Sequence, residues 1–186
     1  MKKVVLLGDS IRLIGYGLKV PELLGKDYQV YQSEDNGRFT QYTLRMLFDN
    51  AKEIEGADVI HWNNGHWDLC KILSDGGNFT PVNYYAEYIS RIADLLKKIT
   101  PKVIFATTTP VLDGNPYQNN EIIKEYNAAA VKALEGKGVI INDLYSTVVK
   151  NVGEYIRSDD MLHLTEKGID VCAKQVADII KKVSKE

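Results

Sequence analysis

A chain of 186 residues with a formal net charge of −2 is long enough to bury one sizeable core, which predicts one domain over residues 1–186 with one active site. Hydrophobic residues at 45% and charged residues at 26% match ordinary globular usage, which excludes a disordered or fibrous chain. The lysines alternate with acids instead of clustering, so no electrostatic footprint for nucleic acid is present.

The chain opens MKKVVLLGDS, whose apolar run is too short for the core of a signal peptide and is read as a buried first strand over 3–7. Further β-branched and apolar runs at 28–31, 57–62, 103–107 and 139–142 predict four more strands, most of them almost continuously apolar, as parallel strands covered on both faces should be. Helical spacing separates them over 40–53, 84–99, 120–134 and 165–182. The second of these carries Tyr85, Ile89, Ile92, Leu95, Leu96 and Ile99 on one stripe and stops at Thr100-Pro101. Alternating strands and helices predict a three-layer α/β/α sandwich on a five-stranded parallel sheet in flavodoxin-like strand order. No stretch is long and apolar enough to span a bilayer, so no membrane partner is expected. Cys70 and Cys172 make no disulfide framework and lack zinc spacing, which fits a reducing, cytoplasmic setting.

In such sheets ligands bind outside the carboxyl ends of the strands. Ser10 follows the first strand directly. A serine hydroxyl becomes a useful nucleophile only beside an imidazole that accepts its proton, and that imidazole needs an acid to hold its tautomer. Of the three histidines, His163 lies in Ser158-Asp159-Asp160-Met161-Leu162-His163, just before the last helix, with Asp160 three residues away and Asp159 one further. His61 falls inside the third strand, where a packed, hydrogen-bonded side chain is the plainer reading. His66 follows the same strand at the rim, with Asp68 two residues on. Gly15-Tyr16-Gly17 lacks the third glycine of a dinucleotide loop, and no Cys, His or carboxylate group has zinc spacing, so neither cofactor nor metal is expected. Trp62 and Trp67 flank the third loop and read equally as sugar-stacking platforms or as core. Arg38 reads as a steering cation or as an ordinary surface one.

Gly8-Asp9-Ser10 after strand one, Asn36-Gly37-Arg38-Phe39-Thr40 after strand two, an asparagine loop after strand three and Asp-x-x-His before the last helix together resemble the SGNH (GDSL) hydrolases over nearly the whole chain. The resemblance implies Ser10 as nucleophile, Asp160 and His163 as its partners, and an oxyanion hole from the Ser10 N–H, the Gly37 N–H and an asparagine amide. Where the family pattern is Gly-x-Asn-Asp, this chain reads Trp62-Asn63-Asn64-Gly65-His66-Trp67-Asp68, similar to the Asn-x-Gly-His-Trp stretch of a divergent branch with plant polysaccharide acetyltransferases and esterases. On that alignment Asn63 is the third donor, with Asn64 as the fallback. The implied activity is a serine esterase removing a short acyl group, acetyl foremost, from a carbohydrate or small molecule. Thioesterase or lysophospholipase action and acyl transfer are the alternatives that use the same residues.

Overall fold

The structure, a computed structural model, describes residues 1–185. Strands β1 (Lys2–Leu7), β2 (Tyr28–Gln32), β3 (Val59–Asn63), β4 (Val103–Ala106) and β5 (Ile140–Asn142) form one sheet in the order β2-β1-β3-β4-β5, every neighbouring pair parallel. This is the expected flavodoxin-like order. Between and after the strands run α1 (Ser10–Leu13), α2 (Val20–Leu24), α3 (Thr40–Asp49), α4 (Ala51–Ile54), α5 (His66–Leu69), α6 (Val82–Lys97), α7 (Asn120–Leu134), α8 (Leu144–Val148), α9 (Val152–Tyr155) and α10 (Glu166–Lys185).

Period-two alternation sends Val4, Leu6, Val59 and Ile104 into one face, against α10 and the segment that contains Tyr16 and Val20. Val5, Leu7, Ile60, Trp62, Val103 and Phe105 face the other way, against α3, α6 and α7. With both faces covered, the central strands β1, β3 and β4 are apolar over most of their length. On α6 the buried residues are Tyr85, Ile89, Ile92, Ala93 and Leu96, one stripe at helical spacing. Burying a side chain such as Ile89 contributes about 1.5–3 kcal/mol.

The one helix expected over 40–53 is two. Asn50 leaves helical geometry at φ −104°, ψ 22°, and its side-chain amide donates to Met46 O at 3.0 Å, closing α3 before α4 begins. At the other end of the chain, Thr165 Oγ1 accepts from the Gly168 N–H and so caps α10 at its N-terminus. Among the described residues no helix is long and apolar enough to cross a membrane.

Candidate active site

The end of β1 turns on Gly8, whose φ of +145° and closeness to Asn63 admit no side chain: a Cβ there would lie 1.9 Å from Asn63 Oδ1. Asp9 follows as the cap of α1, its Oδ1 accepting from the Ile11 N–H at 2.9 Å. Ser10 is therefore the first helical residue, and its hydroxyl stands at the carboxyl edge of the sheet.

His163 reaches it from a loop that an antiparallel bridge between Ile156 and Leu164 closes on itself. Inside that loop Asp160 Oδ1 accepts from the N–H groups of Leu162 and His163, both at 2.9 Å, and Oδ2 lies 2.9 Å from His163 Nδ1. His163 Nε2 is then 2.8 Å from Ser10 Oγ. Partial burial by itself would raise the Asp160 carboxyl, but the donations from His163 and Leu162 outweigh it and hold the group below the usual carboxylate range. Asp159 pairs with Arg157 through Nε at 2.9 Å, so the rival acid is engaged elsewhere. The structure brings Ser10, His163 and Asp160 together in one relay.

The two donors expected beside Ser10 are placed otherwise. The Gly37 N–H donates to Gly8 O at 2.9 Å, and a Cβ at Gly37 would meet the same oxygen at 2.7 Å, so this glycine packs two loops together. Asn63 donates its amide to Asp9 Oδ1 at 2.7 Å and accepts from the Tyr16 hydroxyl at 2.8 Å. Asn64, the fallback, is fully buried and gives its amide to Arg38 O and Thr43 Oγ1. Both asparagines direct their amide N–H groups into the interior, where buried donors are hydrogen-bonded. The Ser10 N–H, by contrast, has no acceptor among the described residues.

A crevice of about 420 Å³ opens above the relay, lined by Ser10, His163, Asn36, His66 and Gln118 among apolar walls from Leu13, Ile14, Trp67, Ile72, Tyr117 and Leu162. Trp67 is thus a wall of the site, whereas Trp62 is core, its ring 4.9 Å from that of Phe105. Arg38 stacks its guanidinium over Tyr42 and does not reach the crevice. His66 bonds through Nδ1 to Gln118 Oε1 at 2.7 Å and through Nε2 to Thr109 Oγ1 at 3.0 Å. An amide oxygen only accepts, so Nδ1 carries the proton, and burial holds the imidazole pKa below its ordinary value.

Sequence reading missed Arg12. It is fully buried and donates to Ser33 O at 2.6 Å, Asp35 O at 2.7 Å and Gly8 O at 3.0 Å, tying the loop after β2 to the turn before Ser10. Its partners are backbone carbonyls, which leave no trace in residue identity. Among the described residues no cluster of His, Cys, Asp or Glu could hold a metal ion.

No protein-family model matches the chain. A curated relative does: the GDSL esterase/lipase CPRD49 of Arabidopsis thaliana, 22% identical over 202 residues, covering 96% of this chain and 78% of the relative. Over nearly its whole length the chain is similar to this GDSL esterase/lipase. The chain also shares its fold with solved structures. A lipase/acylhydrolase from Enterococcus faecalis superposes with a TM-score of 0.81 at 23% identity, over 98% of this chain and 96% of that one. The acetyl xylan esterase AlAXEase superposes with a TM-score of 0.75 at 19% identity, over 97% and 98%. At these identities the structural likeness speaks for the fold, a five-stranded parallel sheet covered by helices on both faces.

Proposed function

We propose that this chain is an SGNH (GDSL) hydrolase that cleaves carboxylic esters through an acyl-serine intermediate, with Ser10 as nucleophile, His163 as general base and then acid, and Asp160 as the group that holds His163. The observation that carries the reading is the continuous path Ser10 Oγ–His163 Nε2–Asp160, with steps of 2.8 and 2.9 Å. With Nδ1–H directed at Asp160, Nε2 has a lone pair for the serine proton. Attack on the ester carbonyl joins Oγ to carbon and moves the proton to Nε2. Collapse breaks the bond to the alcohol, which leaves with that proton, and water repeats the sequence to free the acid. Developing negative charge on the carbonyl oxygen is met by the uncommitted Ser10 N–H.

For the acyl group the proposal is a short one, acetyl foremost, on a carbohydrate or small-molecule alcohol. It draws on the Asn63-Asn64-Gly65-His66-Trp67 segment and on the exposed aromatic faces of Trp67 and Tyr117 at the mouth, which suit a sugar ring. A longer acyl chain is the second reading, favoured by the apolar side chains of Leu13, Ile14, Ile72 and Leu162. Two buried free cysteines fit a cytoplasmic setting. Nitrophenyl esters of two to twelve carbons, offered to the protein and to Ser10→Ala, test both points. The expected outcome is fastest release from the acetyl ester and near-background release by the variant. Equal rates for the two proteins would defeat the mechanism, and a maximum at long chains would transfer the substrate to the second reading.

A further inference from the structure

Attack by Ser10 places negative charge on the former carbonyl oxygen, where side-chain amides serve well as fixed donors because they need no reorganisation in the transition state. Neither asparagine after β3 is available. Asn63 is committed to Asp9 and Tyr16, and Asn64 to Arg38 and Thr43. Neither lines the crevice.

Asn36 does, together with Ser10 and His163. Its Oδ1 accepts the Arg38 N–H at 2.8 Å, which fixes the orientation of the carboxamide, and among the described residues its NH2 group has no acceptor. The backbone around it is held from several sides. Arg12 grips the carbonyls of Ser33, Asp35 and Gly8, the Gly37 N–H bonds to Gly8 O, and the Asn36 N–H bonds to Asp35 Oδ1 at 2.8 Å. Arg38 closes the turn at φ +46°, a left-handed conformation that a non-glycine residue keeps only where its surroundings impose it. A buried arginine, a glycine packed on the Ser10 turn and a strained residue thus fix the position of one side chain whose NH2 group the fold itself does not use.

Resting on the ester-hydrolase reading above, we infer that Asn36 is a catalytic residue. Its NH2 hydrogen-bonds the oxyanion formed when Ser10 attacks, in the role that the family resemblance assigns to Asn63. The amide gains and loses no proton. The carbonyl π pair moves to oxygen as the Ser10 Oγ–C bond forms and His163 takes the serine proton; on collapse the carbonyl re-forms, the carbon–alcohol bond breaks, and His163 gives its proton to the departing alcohol, leaving the acyl group on Ser10.

The test is steady-state hydrolysis of nitrophenyl acetate by the intact chain, Asn36→Ala, Asn36→Asp and Ser10→Ala, each with a thermal melt. Asn36→Ala should lose about 10²–10³-fold in kcat, with kcat/KM falling by the same factor, because the lost bond exists only in the transition state. Asn36→Asp keeps the acceptor for Arg38 but has no donor, so it should be as slow as the alanine variant, with an unchanged melting temperature. It also decides the matter should the alanine variant fold poorly. A kcat for Asn36→Asp close to that of the unmodified chain overturns the inference, as does a rise in KM at constant kcat, which would mark ordinary substrate binding. Should the unmodified chain prove no faster than Ser10→Ala, the ester-hydrolase reading itself falls, and this inference with it.

Discussion

At the scale of single residues, the relay depends on which nitrogen of His163 bears the proton. Asp160 accepts three hydrogen bonds within its own loop, two from backbone N–H groups and one from the imidazole. The first two hold the carboxylate still and the third selects the tautomer. Asp160→Asn would keep the shape while presenting an NH2 to Nδ1, so that the imidazole turns its lone pair toward the amide and its N–H toward Ser10. The expected loss in kcat is about 10³–10⁴-fold, with melting temperature little changed, measured on a nitrophenyl ester. A loss below tenfold would show that His163 keeps its orientation without the carboxylate. Asp159 has no such task, since its charge is spent on Arg157 at the surface.

At the scale of elements, one polar path crosses the otherwise apolar sheet. Gln175 on α10 donates to Asn142 Oδ1 at 2.7 Å, and the Asn142 amide donates to His61 Nε2 at 3.1 Å. His61 Nδ1 then faces the Tyr16 hydroxyl across a longer 3.5 Å contact, and Tyr16 donates to Asn63, which donates to Asp9. Every hydrogen points the same way, from the last helix toward the carboxylate that caps α1, and such an ordered series polarises each member in turn. Burial takes His61 to a pKa of about 3, so the ring stays neutral and can both accept and donate. Tyr16→Phe keeps the ring packing, including the edge-on contact with His61 at 5.4 Å, but leaves Asn63 Oδ1 and His61 Nδ1 without a partner. Each orphaned group costs about 1–3 kcal/mol, and for a chain of this length a kilocalorie lowers the melting temperature by about 2–4 °C. Melting within a degree of the parent protein would show that this path carries no stability.

At the scale of the whole molecule, two buried groups pull stability in opposite directions with pH. Asp68 lies beneath the start of α3, where Thr40 donates to it from both its N–H and its hydroxyl, yet burial prevails and lifts the carboxyl from 3.8 to about 6. Between those values the folded chain keeps a proton that the unfolded chain has released, so this residue's contribution is full below pH 4 and is lost as pH rises through 6, a span of about 3 kcal/mol. His61 acts in reverse. It stays neutral in the fold down to about pH 3 while the unfolded imidazole takes a proton near 6.5, so stability falls as pH drops through that window. The two effects offset each other in the parent protein and separate in Asp68→Asn. The melting temperature of the parent relative to that variant should fall as pH is raised from 4 to 7. A difference that stays constant over that range would mean that Asp68 is ionised throughout.

Much of this was legible in residue order because it is local or periodic. Continuous apolar runs separated by helical stripes determined a parallel sheet with two covered faces, since burial on both sides leaves no other pattern. Asp160 and His163 share one short loop with two residues between them, so their pairing is local, and Ser10 at the end of β1 follows from the fold class. The break at Asn50 was not visible, because a side chain returning to Met46 competes with a helix whose pattern runs on unbroken. The partners of the amides after β2 and β3 were not visible either. Whether the amides of Gly37, Asn63 and Asn64 face a substrate or the interior depends on which distant carbonyl, carboxylate or hydroxyl comes alongside, and only the folding of β1, β3 and the loop after β2 against one another decides that. Arg12 and Asn36 belong to the same class: ordinary polar residues in the sequence, given their places by backbone groups that no residue letter records.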